Sequence, residues 1–208
     1  MDCLPALRRA AAGGMHDGEL LRFLRAAKFD AARAEAAVAK TVAWRAENAD
    51  VLQGPEADPV LSTLLGSLGS VDACGAPVFC LQLPEDGGMT LEESLLHDVV
   101  VRVCETLRLA LRTHGVDAVG LTLLLDLRSV RLSIFFVSML PVVRELSRLC
   151  EQHYPECLKS VLVDCSGTDH PLLPRSWTLF RPLLSESLQA RTVVIAESHQ
   201  LMAALHEY

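Results

Sequence analysis

Residues 120–127 read Gly-Leu-Thr-Leu-Leu-Leu-Asp-Leu. Leucines fall at odd and even positions alike, so both faces of a strand here are apolar. A strand greasy on both sides is covered on both sides, as in a parallel or mixed sheet. Two further short apolar runs follow it, Ser-Val-Leu-Val-Asp at 160–164 and Thr-Val-Val-Ile-Ala at 192–196. One precedes it, Ala-Pro-Val-Phe-Cys-Leu-Gln-Leu at 76–83, bounded by Gly75 and by the turn-forming residues 84–88. Helical patterns lie between the strands. Thr90 and Glu93 form a capping box ahead of Leu95, Leu96, Val99, Val100, Val103, Leu107 and Leu111, and Gly115 ends that helix. Residues 132–153 are helical, with Pro141 expected to start a second segment. Helices over 172–184 and 199–206 complete the alternation. The pattern predicts an α/β fold, a mixed β-sheet with flanking helices.

The first 55 residues differ in kind. Asp17 is expected to cap a helix carrying Leu20, Leu21, Leu24 and Lys28 at helical spacing. Asp30 caps the next, with Phe29 placed to staple onto Ala34. That helix, over 31–48, is Ala-rich, with Val38, Val42 and Trp44 as its apolar bulk. Gly54-Pro55 and Asp58-Pro59 then break the chain. Two units are expected: a small helical N-terminal lobe over 1–55 and an α/β lobe over 56–208.

Half of the 208 residues are apolar and the mean hydropathy is +0.29. Disorder is excluded by that composition. A membrane-spanning helix is excluded by spacing. The longest charge-free stretches, such as residues 132–143, run to about a dozen residues, against about 20 needed. The surplus must therefore line an interior. A net charge of −7 argues against a nucleic-acid partner. Seven scattered cysteines without a secretory signal read as thiols in a reducing cytosol, and the expected localisation is cytoplasmic.

Enzyme motifs are missing. Gly66-Ser-Leu-Gly-Ser70 has the wrong order for a nucleophile elbow, and no phosphate-cradling glycine loop occurs. Cys165, Ser166 and His170 fall within six residues, but a working pair is assembled by folding, and the stretch reads equally as a polar turn. Cysteine and histidine spacings fit no zinc site. No catalytic residue, metal or cofactor is expected.

Three segments carry a resemblance. Residues 20–30, Leu-Leu-Arg-Phe-Leu-Arg-Ala-Ala-Lys-Phe-Asp, continue to Trp44-Arg45. Asp72-Ala-Cys-Gly-Ala-Pro-Val78 leads into the first strand. Tyr154-Pro-Glu156 is followed by the strand at 161–163, by Trp177 with Phe180-Arg-Pro182, and by Arg191-Thr-Val-Val-Ile195. In this order they resemble the CRAL-TRIO lipid-binding domains, from about residue 17 onward. The resemblance implies a sheet flooring an apolar pocket that holds a phospholipid or other hydrophobic molecule. It also implies a mobile gate helix, loading at membrane surfaces, and transient peripheral membrane association. The chain stops before the family's closing segment and is expected to be truncated or divergent.

By that resemblance, Lys28, Glu156 and Arg191 occupy the headgroup positions of phosphoinositide-binding members. Arg191 replaces the usual lysine, and Ala27 stands where the motif has a second cation. Glu156 and Arg191 equally fit a structural ion pair joining a helix end to the sheet. Leu121 and Leu123 stand where phosphatidylcholine binders often carry hydroxyls, which favours a phosphoinositide or an uncharged ligand. Phe135, Phe136, Met139 and Tyr154 are assigned to the pocket. Leu172, Leu173, Trp177, Phe180, Leu183 and Leu184 form one helical stripe, the candidate gate, expected to dock on membranes when it opens. The expected function is lipid binding and exchange. The alternative is a non-exchanging regulatory module serving protein recruitment or membrane targeting.

Overall fold

The apolar run at 120–127 is the central strand of a five-stranded sheet. In the computed structural model the described residues are 3–52, 65–82, 93–115, 119–128, 132–166, 177–178 and 181–207. Four helices come first: α1 (Leu4–Ala10), α2 (Asp17–Ala26), α3 (Ala31–Glu47) and α4 (Ala49–Leu52). There follow β1 (Leu65–Val71), β2 (Pro77–Gln82), α5 (Glu93–Thr113), β3 (Leu121–Asp126), α6 (Leu132–Gln152) and β4 (Leu158–Asp164). A 3₁₀ turn (Arg181–Leu183), α7 (Glu186–Arg191), β5 (Thr192–Ile195) and α8 (Ser198–Glu207) complete the chain.

Strand order equals chain order, β1-β2-β3-β4-β5, with β1 antiparallel to β2 and the other pairs parallel. Every residue of β3 is buried, as its two-sided apolarity predicts. Leu123 and Leu125 face the main core, where Leu107 and Leu111 of α5 and Val142, Val143 and Leu149 of α6 pack. On the other side Leu124, with Val78, Leu162 and Ile195, packs against Ala204 of α8. The N-terminal helices enclose a core of their own from Leu7, Met15, Leu20, Phe23, Leu24, Ala34 and Val38.

Several expectations need correction. His16, not Asp17, is the N-cap of α2; Asp17 is its first helical residue, pairs with Arg8 and suits the positive end of the helix dipole. Asp30 does cap α3, its carboxylate accepting from the Arg33 N–H at 3.1 Å. Phe29 does not staple onto Ala34. Its backbone is left-handed (φ 63°) and the ring stays exposed. Pro141 starts no second segment: α6 runs unbroken from Leu132 to Gln152, with Pro141 on its exposed side. One missing N–H is tolerated among the ladder bonds of a helix 21 residues long.

The expected helix over 172–184 is not continuous to its end, because residues 181–183 form a 3₁₀ turn. Trp177 and Thr178 are helical, and Leu172, Leu173 and Phe180 lie outside the described residues. So does the Thr90 end of the capping box. Strand β1 and helix α7 were not expected at all.

Candidate functional site

The Tyr154-Pro-Glu156 turn sits between the end of α6 and the start of β4, and three separate contacts fix it. Gly120, at φ 89°, packs its Cα against the turn; a Cβ there would stand 2.9 Å from the Glu156 carbonyl oxygen. Only glycine combines that backbone with that approach. Tyr154 is buried and its hydroxyl donates to Glu105 Oε2 at 3.2 Å. His153 stacks on Trp44 of α3, ring centroids 4.2 Å apart, and its Nδ1 lies 3.2 Å from Thr41 Oγ1. Burial holds the His153 imidazole neutral, lowering it to about 4, with Lys40, Arg148 and Arg45 acting in the same direction.

The helical region and the α/β part meet through a buried ionic cluster. Arg108 of α5 reaches Glu105 at 2.7 Å and Glu19 of α2 at 3.1 Å, and Arg45 of α3 reaches Glu105 at 2.7 Å. Burial alone would raise the Glu105 carboxyl; the two guanidiniums outweigh it and hold it low. On the other side of the sheet, Asp72 accepts from the Cys74 and Ala76 N–H groups, from Thr122 Oγ1 at 2.8 Å and from Lys159 at 2.8 Å. The Asp72–Val78 motif is thus a turn clamped to β3 and β4.

Against this frame, Glu156 takes a left-handed conformation (φ 56°) and turns its carboxylate to Arg191, Oε1 to Nη2 2.5 Å. Arg191 Nη1 also donates to the Leu158 carbonyl at 3.0 Å. The pair is partly exposed, at 24% and 28%. It borders a cavity of about 190 Å³ whose other walls include Ala26, Cys150, Tyr154, Ser185, Ser187 and Leu188. A second cavity, of about 60 Å³, lies on the main-core face of the sheet, between Leu81, Leu123, Leu125 and Val163 below and Val142, Leu146, Trp177 and Leu184 above. Leu158 and Leu188 line both cavities. A vestibule of mixed polar and apolar lining and an apolar chamber therefore share two leucines.

The sequence-selected residues divide accordingly. Glu156, Arg191 and Tyr154 meet at the vestibule; Leu123, Trp177 and Leu184 meet at the chamber. Leu121 is buried in the same core but does not line the chamber. Lys28 is exposed in the α2–α3 turn and lines neither cavity, although Ala26, two residues earlier, lines the vestibule. Phe135, Phe136 and Met139 belong to α6, with side chains outside the described set, and Leu173 and Phe180 lie outside the described residues. Ser185, Ser187, Leu188 and Leu158 were missed, because nothing local in the sequence marks a residue that tertiary closure brings to a cavity wall.

Cys165 and Ser166 follow β4 and are both buried. Burial pushes the Cys165 thiol up to about 12, far from a thiolate, and the Ser166 hydroxyl donates to Asp164 Oδ1 at 2.6 Å. His170 lies outside the described residues. Among the described residues no helix is long and apolar enough to cross a membrane.

A sequence model of the CRAL/TRIO domain matches residues 61–208. A CRAL-TRIO domain-containing protein of Caenorhabditis elegans is 27% identical over 194 residues, 86% of this chain and 26% of that protein. The SEC14 cytosolic factor of Eremothecium gossypii is 26% identical over 201 residues, 89% of this chain and 64% of that one. The chain thus spans about a quarter of the first relative and under two thirds of the second. The crystal structure of Sfh5 matches with a TM-score of 0.64 at 15% identity, covering 90% of this chain and 66% of that chain, which shows a shared fold. With the family match spanning most of its length, the chain belongs to the CRAL/TRIO domain family, whose members are generally lipid-binding and transfer proteins.

Proposed function

We propose that this protein binds one lipid and exchanges it at membrane surfaces, with no chemical step. The observation that carries the reading is the shared leucine pair: a vestibule bearing an Arg–Glu pair lies beside an apolar chamber, and Leu158 and Leu188 line both. Arg191 offers a planar fork of five N–H donors, of which Glu156 and Leu158 engage two. A phosphate-bearing headgroup, a phosphoinositide by the pattern at Leu121 and Leu123, would compete for that fork in the vestibule. An acyl chain would enter the chamber. Lys28 would meet the headgroup only from the rim. The helical and α/β parts would act as two units, 1–55 and 56–208, joined by the buried ionic cluster.

At about 60 Å³ the chamber has roughly the volume of two waters, whereas pockets for small ligands run to about 300–1,000 Å³. Loading therefore requires part of the wall to move, and the wall bearing Trp177, Leu184 and Leu188 is the one that would do so. The same small volume favours the second reading, a regulatory module that never exchanges lipid. Native mass spectrometry of the purified chain separates them. A stoichiometric co-purifying lipid, lost in Arg191→Gln, supports the carrier; a ligand-free chain that moves no lipid between vesicles sinks it. Trp177→Ala is expected to impair transfer more than stability.

A further inference from the structure

Helix α2 ends in an unusual way. The Lys28 N–H donates to the Arg25 carbonyl and the Phe29 N–H to the Leu24 carbonyl, each at 2.8 Å. This is the Schellman arrangement, in which the left-handed position is normally glycine and the next residue normally folds back onto the helix. Here lysine occupies the left-handed position (φ 54°), and Phe29 is left-handed too (φ 63°). Neither residue type tolerates that conformation well. Phe29 does not fold back: at 69% it is the most exposed large apolar side chain among those described. The turn is nonetheless tightly built, since Asp30 donates its N–H to the Ala27 carbonyl and caps α3 through Arg33. A bulky ring is thus held out in water, at a cost in strain and exposure, by a turn with no visible packing use for it.

Its surroundings state what it fits. Lys28 and Arg33 flank it on the surface, against Asp30. The charge is also divided along the chain. Residues 1–52 carry eight Lys and Arg against seven Asp and Glu, whereas the remainder carries eleven against nineteen. An anionic surface is therefore repelled by the α/β part and tolerated by the helical end. The tip is also continuous with the vestibule, since Ala26, three residues before Phe29, forms part of its wall.

We propose that the Lys28–Phe29 tip is a membrane anchor, with Phe29 inserting at the headgroup–acyl boundary of an anionic bilayer and Lys28 and Arg33 meeting its phosphates. The proposal rests on the lipid-exchange reading for its purpose, because docking at this tip places the vestibule rim against the bilayer. It adds a surface distinct from the Trp177 wall. The physics is that of any interfacial aromatic beside cations: apolar area leaves water while the charges lower the energy of approach.

The test uses the whole chain and sedimentation with phosphatidylcholine vesicles, with or without phosphatidylserine. Wild-type protein is expected to partition onto the mixed vesicles, more weakly at high salt. Phe29→Ala should lower that partitioning about ten- to a hundredfold, the worth of burying one aromatic side chain, without lowering the melting temperature. Phe29→Trp should retain binding and shift its emission to the blue. Wild-type protein that ignores mixed vesicles, or a Phe29→Ala chain that binds them as wild type does, overturns the proposal. So does self-association abolished by Phe29→Ala in the absence of vesicle binding, which would assign the tip to a second copy of the chain. Titration with soluble glycerophosphoinositol probes the vestibule alone. A tip that docks while this titration fails leaves the anchor standing and removes the headgroup reading.

Discussion

Two sets of Arg–Glu pairs, similar in distance and unlike in setting, divide the work of this molecule. Arg108 with Glu105 and Glu19 is buried between the helical end and α5 and is reinforced by Tyr154 and by the more exposed Arg45. Arg191 with Glu156 is a single pair, partly exposed, on the wall of a cavity, with a left-handed backbone under the glutamate. A buried network is fixed because undoing it strands a charge in a low dielectric. A partly exposed pair exchanges its partner more readily, because water and an incoming anion compensate either residue. The first set is built to hold; on the proposed reading the second is placed to let go.

Removing one partner from the closed set should give the largest effect. Arg108→Ala leaves Glu105 and Glu19 buried without their shared cation and should cost about 3–5 kcal/mol, seen as a fall of roughly 10 °C in melting temperature. A loss below about 1 kcal/mol would place this cluster in the same class as surface pairs and erase the contrast.

The same region carries a pH signature. Folding lowers His153 from its ordinary value of 6.5 to about 4. The unfolded chain therefore takes up the proton first as pH falls. The stability from keeping His153 neutral is complete above pH 6.5, drains away between 6.5 and about 4, and changes no further below that. The full amount is about 3 kcal/mol. Denaturant unfolding of wild type and His153→Gln across this window should show curves that converge toward the acid end. Parallel curves would mean that burial does not keep the imidazole neutral.

Gly120→Ala works on the boundary between the two sets. It forces a Cβ to 2.9 Å from the Glu156 carbonyl at a φ of 89°, so a loss of about 2 kcal/mol is expected. Unlike Arg108→Ala, it should also weaken headgroup binding, since the turn that aims Glu156 must shift. Thermal unfolding paired with glycerophosphoinositol titration checks both; a destabilised chain that binds normally would uncouple the turn from the vestibule.

How far these regions were readable from sequence follows from where their information lies. The two-sided leucines of β3 and the carboxylate of Asp30 announce strand and cap because strand burial and capping are local properties. Strand β1 escaped notice because Leu-Gly-Ser-Leu-Gly-Ser-Val offers little β-branched or aromatic content and gains its order from pairing with β2. Helix α7 is six residues long, too short for periodicity to show. Glu156 and Arg191 were found only through the family resemblance, since they lie 35 positions apart and meet by tertiary closure. The Trp44–His153 stack and the Phe29 tip were beyond reach for the same reason: which face of a turn an aromatic takes depends on a backbone angle that no spacing encodes.

The smallest effect on stability should come from the pair on the cavity wall, and there the comparison is at its sharpest. Arg191→Gln removes the charge and shortens the side chain, so the Leu158 carbonyl loses its guanidinium donor and Glu156 is left near water. Stability should change by no more than about 1 kcal/mol. Binding of a phosphate-bearing headgroup should weaken tenfold or more, as charge-assisted hydrogen bonds are worth about 1.5–3 kcal/mol. Unfolding and titration on the same preparation give the two numbers directly. If the variant loses several kcal/mol of stability while titration is unmoved, Arg191–Glu156 is a clasp of the Arg108 kind. If binding falls and stability holds, the pair serves the cavity: the ion pair keeps the guanidinium oriented until a phosphate replaces the carboxylate.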